Sequence, residues 1–425
     1  MVRPRRVALL GFVALACGGS TAPVLTATPT PTARVSPAVR AVPPPRTHAA
    51  PGAGVAWFAA AGGTVGISPD GRELSLPGTP IHNATNGSTG LRSADGGQIY
   101  IAASGKLEVA SAADGHVLHS IDLPWSGQLQ ASVSGDGRWL WIMPDATGTR
   151  LLLVDAERGA VVASGSVTLP SGGSGGAFGA ALLALLDGRL LLMPPGRSEI
   201  LLLSAHGQGV GIDARTSAAS ASPLSCNSPD PQMLHLVADG TAVAGYCAFD
   251  GAVWWLDMGR FQVTDHTQAR IGNPFWGAPA FSADGRMLYV YDSWDGYATE
   301  IDLVLRRLLK STQALRPALA LRLPFIQEVQ AKGPNFSAAL SADGATLFTT
   351  GTRGSSEGLY ALSTSNLAVR AHWLQGRKVQ AVWAGGDGAA LFAMEASGKA
   401  LDVVDLATGS VRTLERATVG GFTVA

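Results

Sequence analysis

Charge is scarce in this sequence: 15% of its 425 residues are Asp, Glu, Lys or Arg, with 31 acidic against 31 basic. A helical bundle would need more Glu, Lys and Arg on its exposed faces, so one is disfavoured. The zero balance favours neither nucleic acid nor an anionic membrane as partner. The eight histidines form no H-E-x-x-H and no Cys/His cluster, so no zinc site is expected. A calcium loop is also missing; Asp292-Ser293-Trp294-Asp295-Gly296 comes closest and its spacing is wrong. No G-x-S-x-G elbow, Walker loop or dinucleotide fingerprint follows a strand and opens a helix. No cofactor is expected on these grounds.

Glycine, by contrast, is abundant, with 53 in the chain. Much of it punctuates a repeat that is plainest in Val379 to Arg416, which reads as four short strands separated by Gly and Asp turns. Repeats of roughly 40 to 50 residues with about four strands each point to a β-propeller. With strands named A to D from the axis outward, the A–B turn carries Asp-Gly at Asp95, Asp136, Asp187, Asp239, Asp284, Asp343 and Asp387. Asp-Gly suits a type I′ hairpin, in which both residues take positive φ, and the Asp side chain bonds backbone two residues on. These carboxylates are therefore read as turn chemistry. The C–D turn is marked by Gly115, Gly159, Gly259, Asn366 and Gly409, while the copy at Arg306-Arg307 lacks the mark.

The two ends of the repeat array complement each other. The segment from Val55 supplies strands B, C and D, with Asp70-Gly71 at its C–D turn, but no strand A. After a complete last repeat the chain adds ATVGGFTVA, which reads as an A strand with nothing after it. Pairing Phe422–Ala425 with Val55–Ala60 completes one blade from both termini and leaves no exposed edge. The expected fold is all-β: a propeller of four-stranded antiparallel blades, eight in number, with a seven-bladed ring as the alternative.

Ser282-Ala283-Asp284-Gly285 with Leu288-Tyr289-Val290, and Leu401-Asp402-Val403-Val404-Asp405 with Thr408-Gly409-Ser410-Val411, carry a family likeness. They resemble the YVTN-type and related secreted β-propeller repeats of bacteria. The resemblance covers Val55 onward and implies an architecture. Such families range from surface structural proteins to lactone hydrolases and amine dehydrogenase subunits.

Three domains are expected. Residues 1–17 read as a signal segment: Arg3, Arg5 and Arg6 precede the apolar run Val7–Ala16, too short to span a bilayer as a helix. The run ends at Ala14-Leu15-Ala16-Cys17, which resembles a bacterial lipobox, with Ala14 where that family usually has Leu. The resemblance implies a lipidated Cys17, hence an exported protein held to the membrane; a signal cleaved after Ala16 or later is the alternative. Residues 18–52 are Pro-, Thr- and Ala-rich, a disordered tether. Residues 53–425 form the propeller. Once Cys17 carries lipid, Cys226 and Cys247 remain as a pair that an exported protein is expected to join, two unrelated buried thiols being the alternative. The two are expected at one end of a blade, before strand A and at the end of strand B.

Trp139, Trp141, Trp254 and Trp255 fall in strands, where aromatic packing is the default. Trp125, Trp276, Trp294 and Asp295 fall in connections and are the candidate ligand contacts. B–C and D–A connections share one face, and several are long: Asp213 to Pro231, Asp265 to Ala278, and Ser311 to Asn335, which has room for a short helix. The functional expectation is a membrane-tethered extracytoplasmic module that binds a protein, a glycan or an envelope component, rather than an enzyme. The alternative is a propeller enzyme such as a lactone hydrolase, or a subunit of a redox enzyme, because propeller active sites draw single residues from several blades.

Overall fold

The computed structural model describes residues 50–424 apart from 61–62, 77–88, 94, 104, 126–128, 145–149, 169–179, 195–197, 219–233, 248–250, 270–276, 294, 316–337, 352–356 and 416–418. The signal segment with Cys17, nearly all of the tether and the Gly-rich run Ser171–Gly176 fall outside these residues. Val35–Ala425 forms one compact unit. The account below concerns its described residues.

These residues form eight four-stranded antiparallel sheets and no α-helix. Blade 1 joins β1 (Ala56–Ala60), β2 (Gly63–Ile67) and β3 (Glu73–Leu76) to the last strand of the chain. Blade 2 holds β4 (Thr89–Arg92), β5 (Gln98–Ala103), β6 (Lys106–Ser111) and β7 (Val117–Asp122). Blade 3 holds β8 (Gln130–Val133), β9 (Trp139–Met143), β10 (Arg150–Asp155) and β11 (Ala160–Ser166). Blade 4 holds β12 (Ala181–Ala184), β13 (Leu190–Met193), β14 (Glu199–His206) and β15 (Gly209–Ser217). Blade 5 holds β16 (Leu234–Leu236), β17 (Ala242–Cys247), β18 (Ala252–Asp257) and β19 (Gln262–Gln268). Blade 6 holds β20 (Gly277–Phe281), β21 (Met287–Asp292), β22 (Tyr297–Asp302) and β23 (Arg307–Gln313). Blade 7 holds β24 (Ala338–Leu340), β25 (Thr346–Gly351), β26 (Gly358–Ser363) and β27 (Val369–Trp373). Blade 8 holds β28 (Val379–Ala384), β29 (Ala390–Glu395), β30 (Ala400–Asp405) and β31 (Val411–Glu415), and β32 (Val419–Val424) follows it.

The core is divided among the seams between blades. Eight buried clusters are present, and each unites side chains from two consecutive blades. The last of them joins Phe392, Leu401 and Val403 of blade 8 to Ala56, Phe58 and Ile67 of blade 1, so the ring closes. Alternation along each strand sends odd positions to one seam and even positions to the other, which is why both faces of the inner strands are apolar. Trp57, Trp141 and Trp255 each donate an indole N–H across a seam, to the carbonyls of Ala112, Gly188 and Leu303.

Closure follows the expected strand exchange. β32 pairs antiparallel with β1, setting Trp57 opposite Val424 and Phe58 opposite Thr423. The eight-bladed count therefore holds over the seven-bladed alternative. Two further fastenings cross the junction. Arg412 of β31 donates to the Pro69 carbonyl at 3.4 Å and lies against Gly71, whose φ of 75° and missing Cβ make room for it. The lead-in to β1 is held as well: Ala50 N–H donates to Asp95, and the Ala53 carbonyl accepts from Gly386 N–H and from Arg92, which also donates to Val55. Burial lowers the Arg92 guanidinium to about 10, and the nearby Asp387 carboxylate opposes that shift.

Turn chemistry departs from expectation in two details. The A–B turns are not type I′. Among the described residues only the Gly of each Asp-Gly pair has positive φ; each Asp keeps a negative φ. The Gly N–H closes a tight turn onto the residue three before it, as Gly96 does onto Ser93 at 2.8 Å. The Asp carboxylate caps the backbone two residues on, as Asp136 does to Arg138 N–H at 3.1 Å, and that part of the expectation holds. Where Ser precedes by two, its hydroxyl donates to the same carboxylate, as in Ser93–Asp95 at 2.5 Å. In the C–D turns the left-handed residue is Gly115, Gly159 or Gly409 in three blades but Phe261, Arg306 or Leu367 in three others. Gly259 and Asn366 are therefore not the left-handed positions. A left-handed non-glycine costs about 1 kcal/mol, which burial of Phe261 and Leu367 offsets.

The outer strands also run further than expected. β15 extends to Ser217, β19 to Gln268 and β23 to Gln313, so the long connections begin only after them. In six blades the D strand carries a bulge just past its start, at Leu118, Val162, Asp213, Thr264, Leu309 and Arg370. Whether Ser311–Asn335 holds a helix falls mostly outside the described residues.

Candidate binding face

An up-and-down blade puts A–B and C–D turns on one face of the ring and B–C and D–A connections on the other. The first face is built from the short turns just described. On the second, D–A connections range from 374–378 to 218–233 and 314–337. Toward this second face, the seams between blades 6, 7 and 8 hold a group of tyrosines and a charge cluster.

Tyr291 lies on the last turnward stretch of β21 and Tyr360 near the start of β26; both face the seam between blades 6 and 7. His372 of β27 sits directly across from Tyr360 in the ladder, and their rings stack at 3.9 Å between centroids, 12° from parallel. The imidazole Nε2 lies 3.2 Å from the Glu357 carbonyl. Gly358 admits this ring, because a Cβ there would stand 2.5 Å from Nε2. Tyr291 Oη and Thr349 Oγ1 are buried in the same seam and have no hydrogen-bond partner among the described residues. Burial raises the Tyr291 phenol well above its ordinary range, with the Tyr360 and Asp292 neighbours adding to it. Burial raises Tyr360 as well. Deeper in the seam, Tyr289 pairs across the ladder with Glu300. Desolvation raises the Tyr289 hydroxyl first of all, and desolvation likewise raises the Glu300 carboxyl.

The next seam holds a charge cluster. Arg377, in the connection before β28, bonds Glu395 at the end of β29 and reaches Asp402 of β30 at 2.9 Å. Asp402 is fully buried and also accepts from Thr413 at 2.6 Å. One guanidinium thus ties two strands of blade 8 and answers two carboxylates.

Chemically, the tyrosine seam offers neutral phenols and a stacked imidazole. Phenols held neutral are hydrogen-bond donors and aromatic surfaces, not bases. The charge cluster sets one guanidinium against two carboxylates, and Asp402 Oδ2 has no hydrogen-bond partner among the described residues. Among the described residues no group of three or more His, Cys, Asp or Glu could hold a metal ion.

The residues singled out from sequence do not converge with this cluster. Trp125 is partly buried against the seam of blades 2 and 3, with the Arg150 guanidinium 5.8 Å from its ring centre. Asp295 is partly buried; its backbone N–H lies 3.4 Å from Asp292 Oδ1 and its carbonyl accepts from Gln313 at 3.1 Å, so it builds the B–C turn of blade 6. Trp276 and Trp294 lie outside the described residues, as does Cys226. Cys247 ends β17 with its side chain buried. Trp141, Trp254 and Trp255 are core residues, in keeping with their strand positions.

No protein-family model matches the chain, and no curated protein sequence matches it. Among solved structures it is similar to the dihydro-heme d1 dehydrogenase NirN in complex with DHE. That likeness has a TM-score of 0.60 and 16% identity, covering 90% of this chain and 77% of that one. It is also similar to the C-terminal WD40 domain of Sif2, with a TM-score of 0.53 and 12% identity over 78% of this chain and 83% of that one. At such identities the likeness is one of fold: an eight-bladed β-propeller with WD40-like neighbours.

Proposed function

We propose that the chain is an exported, membrane-tethered propeller that binds a protein or glycan ligand on the face carrying the B–C and D–A connections. The observation that carries this reading is the asymmetry between the two faces. One is built from short turns in blade after blade; the other has connections of very different length and adjoins a seam rich in buried tyrosines. Ligand contacts on repeat scaffolds concentrate where connections vary, because rigid strands hold them without constraining their sequence. Trp276 and Trp294 belong to connections of this face, as does Trp125. The reading includes a lipid on Cys17 and a disulfide between Cys226 and Cys247. Cys247 stands at the B–C end of β17, the end to which the connection 218–233 leads.

A propeller enzyme is the second reading, favoured by the fold shared with the dihydro-heme d1 dehydrogenase. It needs titratable side chains from several blades to meet at the channel mouth. The ionisable groups described on this face, Arg377 with Glu395 and Asp402, instead belong to one blade and the connection leading into it.

The test is capture from native membranes. The intact chain should retain a partner that is lost when 316–335 is replaced by a short Gly-Ser linker, while circular dichroism and the melting temperature stay close to those of the parent. Equal capture by both forms overturns the assignment of the face. Release of Cys17→Ser into the soluble fraction is expected alongside, and undiminished membrane retention would reject the lipid anchor.

A further inference from the structure

The opposite face carries a second pattern that the repeat alone does not require. Every exposed large hydrophobic among the described residues lies at a C–D corner: Leu118, Val161 and Val162, Val369, Val411, and the group Val304, Leu305, Leu308 and Leu309. The bulges explain part of it. An extra residue breaks the in-out alternation, so Leu309 joins Leu308 outside, as Val162 joins Val161. The blade 6 corner is the densest, and Leu305 is 58% exposed there. Its sequence, Leu303-Val304-Leu305-Arg306-Arg307-Leu308-Leu309-Lys310, interleaves apolar side chains with three cations. Asp302 caps the turn by accepting from the Val304 and Leu305 N–H groups, Lys310 faces Glu300 across the ladder, and Arg306 donates to Thr264 of blade 5 at 2.9 Å. Arg307 is exposed.

Exposed aliphatics flanked by Lys and Arg fit the boundary of an anionic bilayer, where apolar side chains enter the acyl edge and cations meet headgroup phosphates. Against Asp302 and Glu300 the three cations leave a local excess of one, which the zero net charge of the whole chain hides. A second observation points the same way. The lead-in, Ala50–Val55, is bonded to the A–B turns of blades 2 and 8, so the chain reaches the ring on this same face. We propose that the C–D corner of blade 6 is a docking site for anionic lipid, holding this face against the membrane and turning the long-connection face away from it. The proposal rests on the reading above for the presence of a membrane, but not on lipidation of Cys17.

The experiment uses full-length Cys17→Ser, which can carry no acyl chain at that position, and co-sedimentation with vesicles of phosphatidylglycerol or of phosphatidylcholine. Preferential binding to phosphatidylglycerol is expected. Leu305→Ser with Leu309→Ser, and separately Arg307→Glu, should each lower it about fivefold or more. The run Val7–Ala16 is common to all these chains, so a difference between them reports the corner. Amide exchange of 304–309 should slow on phosphatidylglycerol vesicles in the parent. Equal binding to both lipids, variants that bind like the parent, or unchanged exchange at 304–309 would each overturn the proposal. So would a Leu305-dependent dimer without vesicle binding, which would make the corner an interface between copies. Failure of the lipid anchor alone would appear only in the cellular fractionation of Cys17→Ser.

Discussion

The seam between blades 3 and 4 and the seam between blades 6 and 7 occupy equivalent places in the ring and are filled by different chemistry. The first is leucine: Leu151, Leu153, Leu182, Leu190, Leu192, Leu201 and Leu203 meet there, and among its described polar contacts an indole N–H reaches a backbone carbonyl. The second holds Tyr289, Tyr291 and Tyr360, with Thr349 beside them and His372 stacked on the outermost. The same backbone ladder supports both. What a blade must supply is volume at alternating positions, and the identity of the filling is free wherever the neighbouring blade can answer it. Hydrocarbon seams give the ring its stability; a polar seam, with hydroxyls left unanswered, gives up some of it.

The sharpest break in that comparison is Leu192→Ala. Its side chain has no solvent exposure in the leucine seam, and the cavity should cost about 2–5 kcal/mol, read from the denaturant midpoint. A value under about 1 kcal/mol would mean that the seam is loosely packed.

The seam between blades 5 and 6 tests an intermediate composition. His235 stacks on Phe281 at 4.9 Å, and desolvation pushes it down to about 4, against which the Ser282 backbone hydrogen bond and Asp284 act. The folded chain therefore holds this ring neutral, while the unfolded chain protonates it near 6.5. Below that pH the unfolded state binds the extra proton, so stability is full above about 6.5 and falls until about 4. Partial solvent contact trims the loss to about 2 kcal/mol. His235→Gln should flatten the melting temperature across this window; an unchanged slope would assign the pH dependence to other groups.

The smallest effect is the most discriminating. Tyr100 in the seam of blades 2 and 3 donates to the Gly137 carbonyl at 2.8 Å, so Tyr100→Phe should cost about 1 kcal/mol. Tyr291→Phe removes a hydroxyl with no partner among the described residues, and should be neutral or stabilise by up to about 1 kcal/mol. A loss at Tyr291 equal to that at Tyr100 would show that its hydroxyl is answered after all.

Much of this architecture was legible because it is written locally. The Asp-Gly marks from Asp95 to Asp387 located the A–B turns, and the surplus after Arg416 revealed the shared blade, since an A strand without a B strand needs a partner. The handedness of the C–D turns was not legible. Phe261 and Leu367 are poor left-handed residues by local preference, and they adopt that state because the bulge and the seam over-determine it. Nor was the tyrosine seam. Its members come from β21, β25, β26 and β27, and only the ring brings them to one interface. In sequence, the alternation of Leu288-Tyr289-Val290-Tyr291 was the available signal: period-two tyrosines on one side of a central strand. The sequence directed attention to Trp125 and Asp295 in connections, and both prove to support a seam edge or a turn.

The contact between Arg412 and Pro69 spans 343 residues of chain. While the polypeptide is being made, β1 has a free inner edge for as long as every intervening blade takes to emerge, and only then does β32 arrive to cover it. Closing so large a loop adds little entropy per extra residue, since the cost grows with the logarithm of length. It does set an order of events: seven blades can form by nearest-neighbour zipping, whereas the first waits for the last. Until β32 has been made the ring is held ajar by its own connectivity, and its arrival is what lets the first blade close.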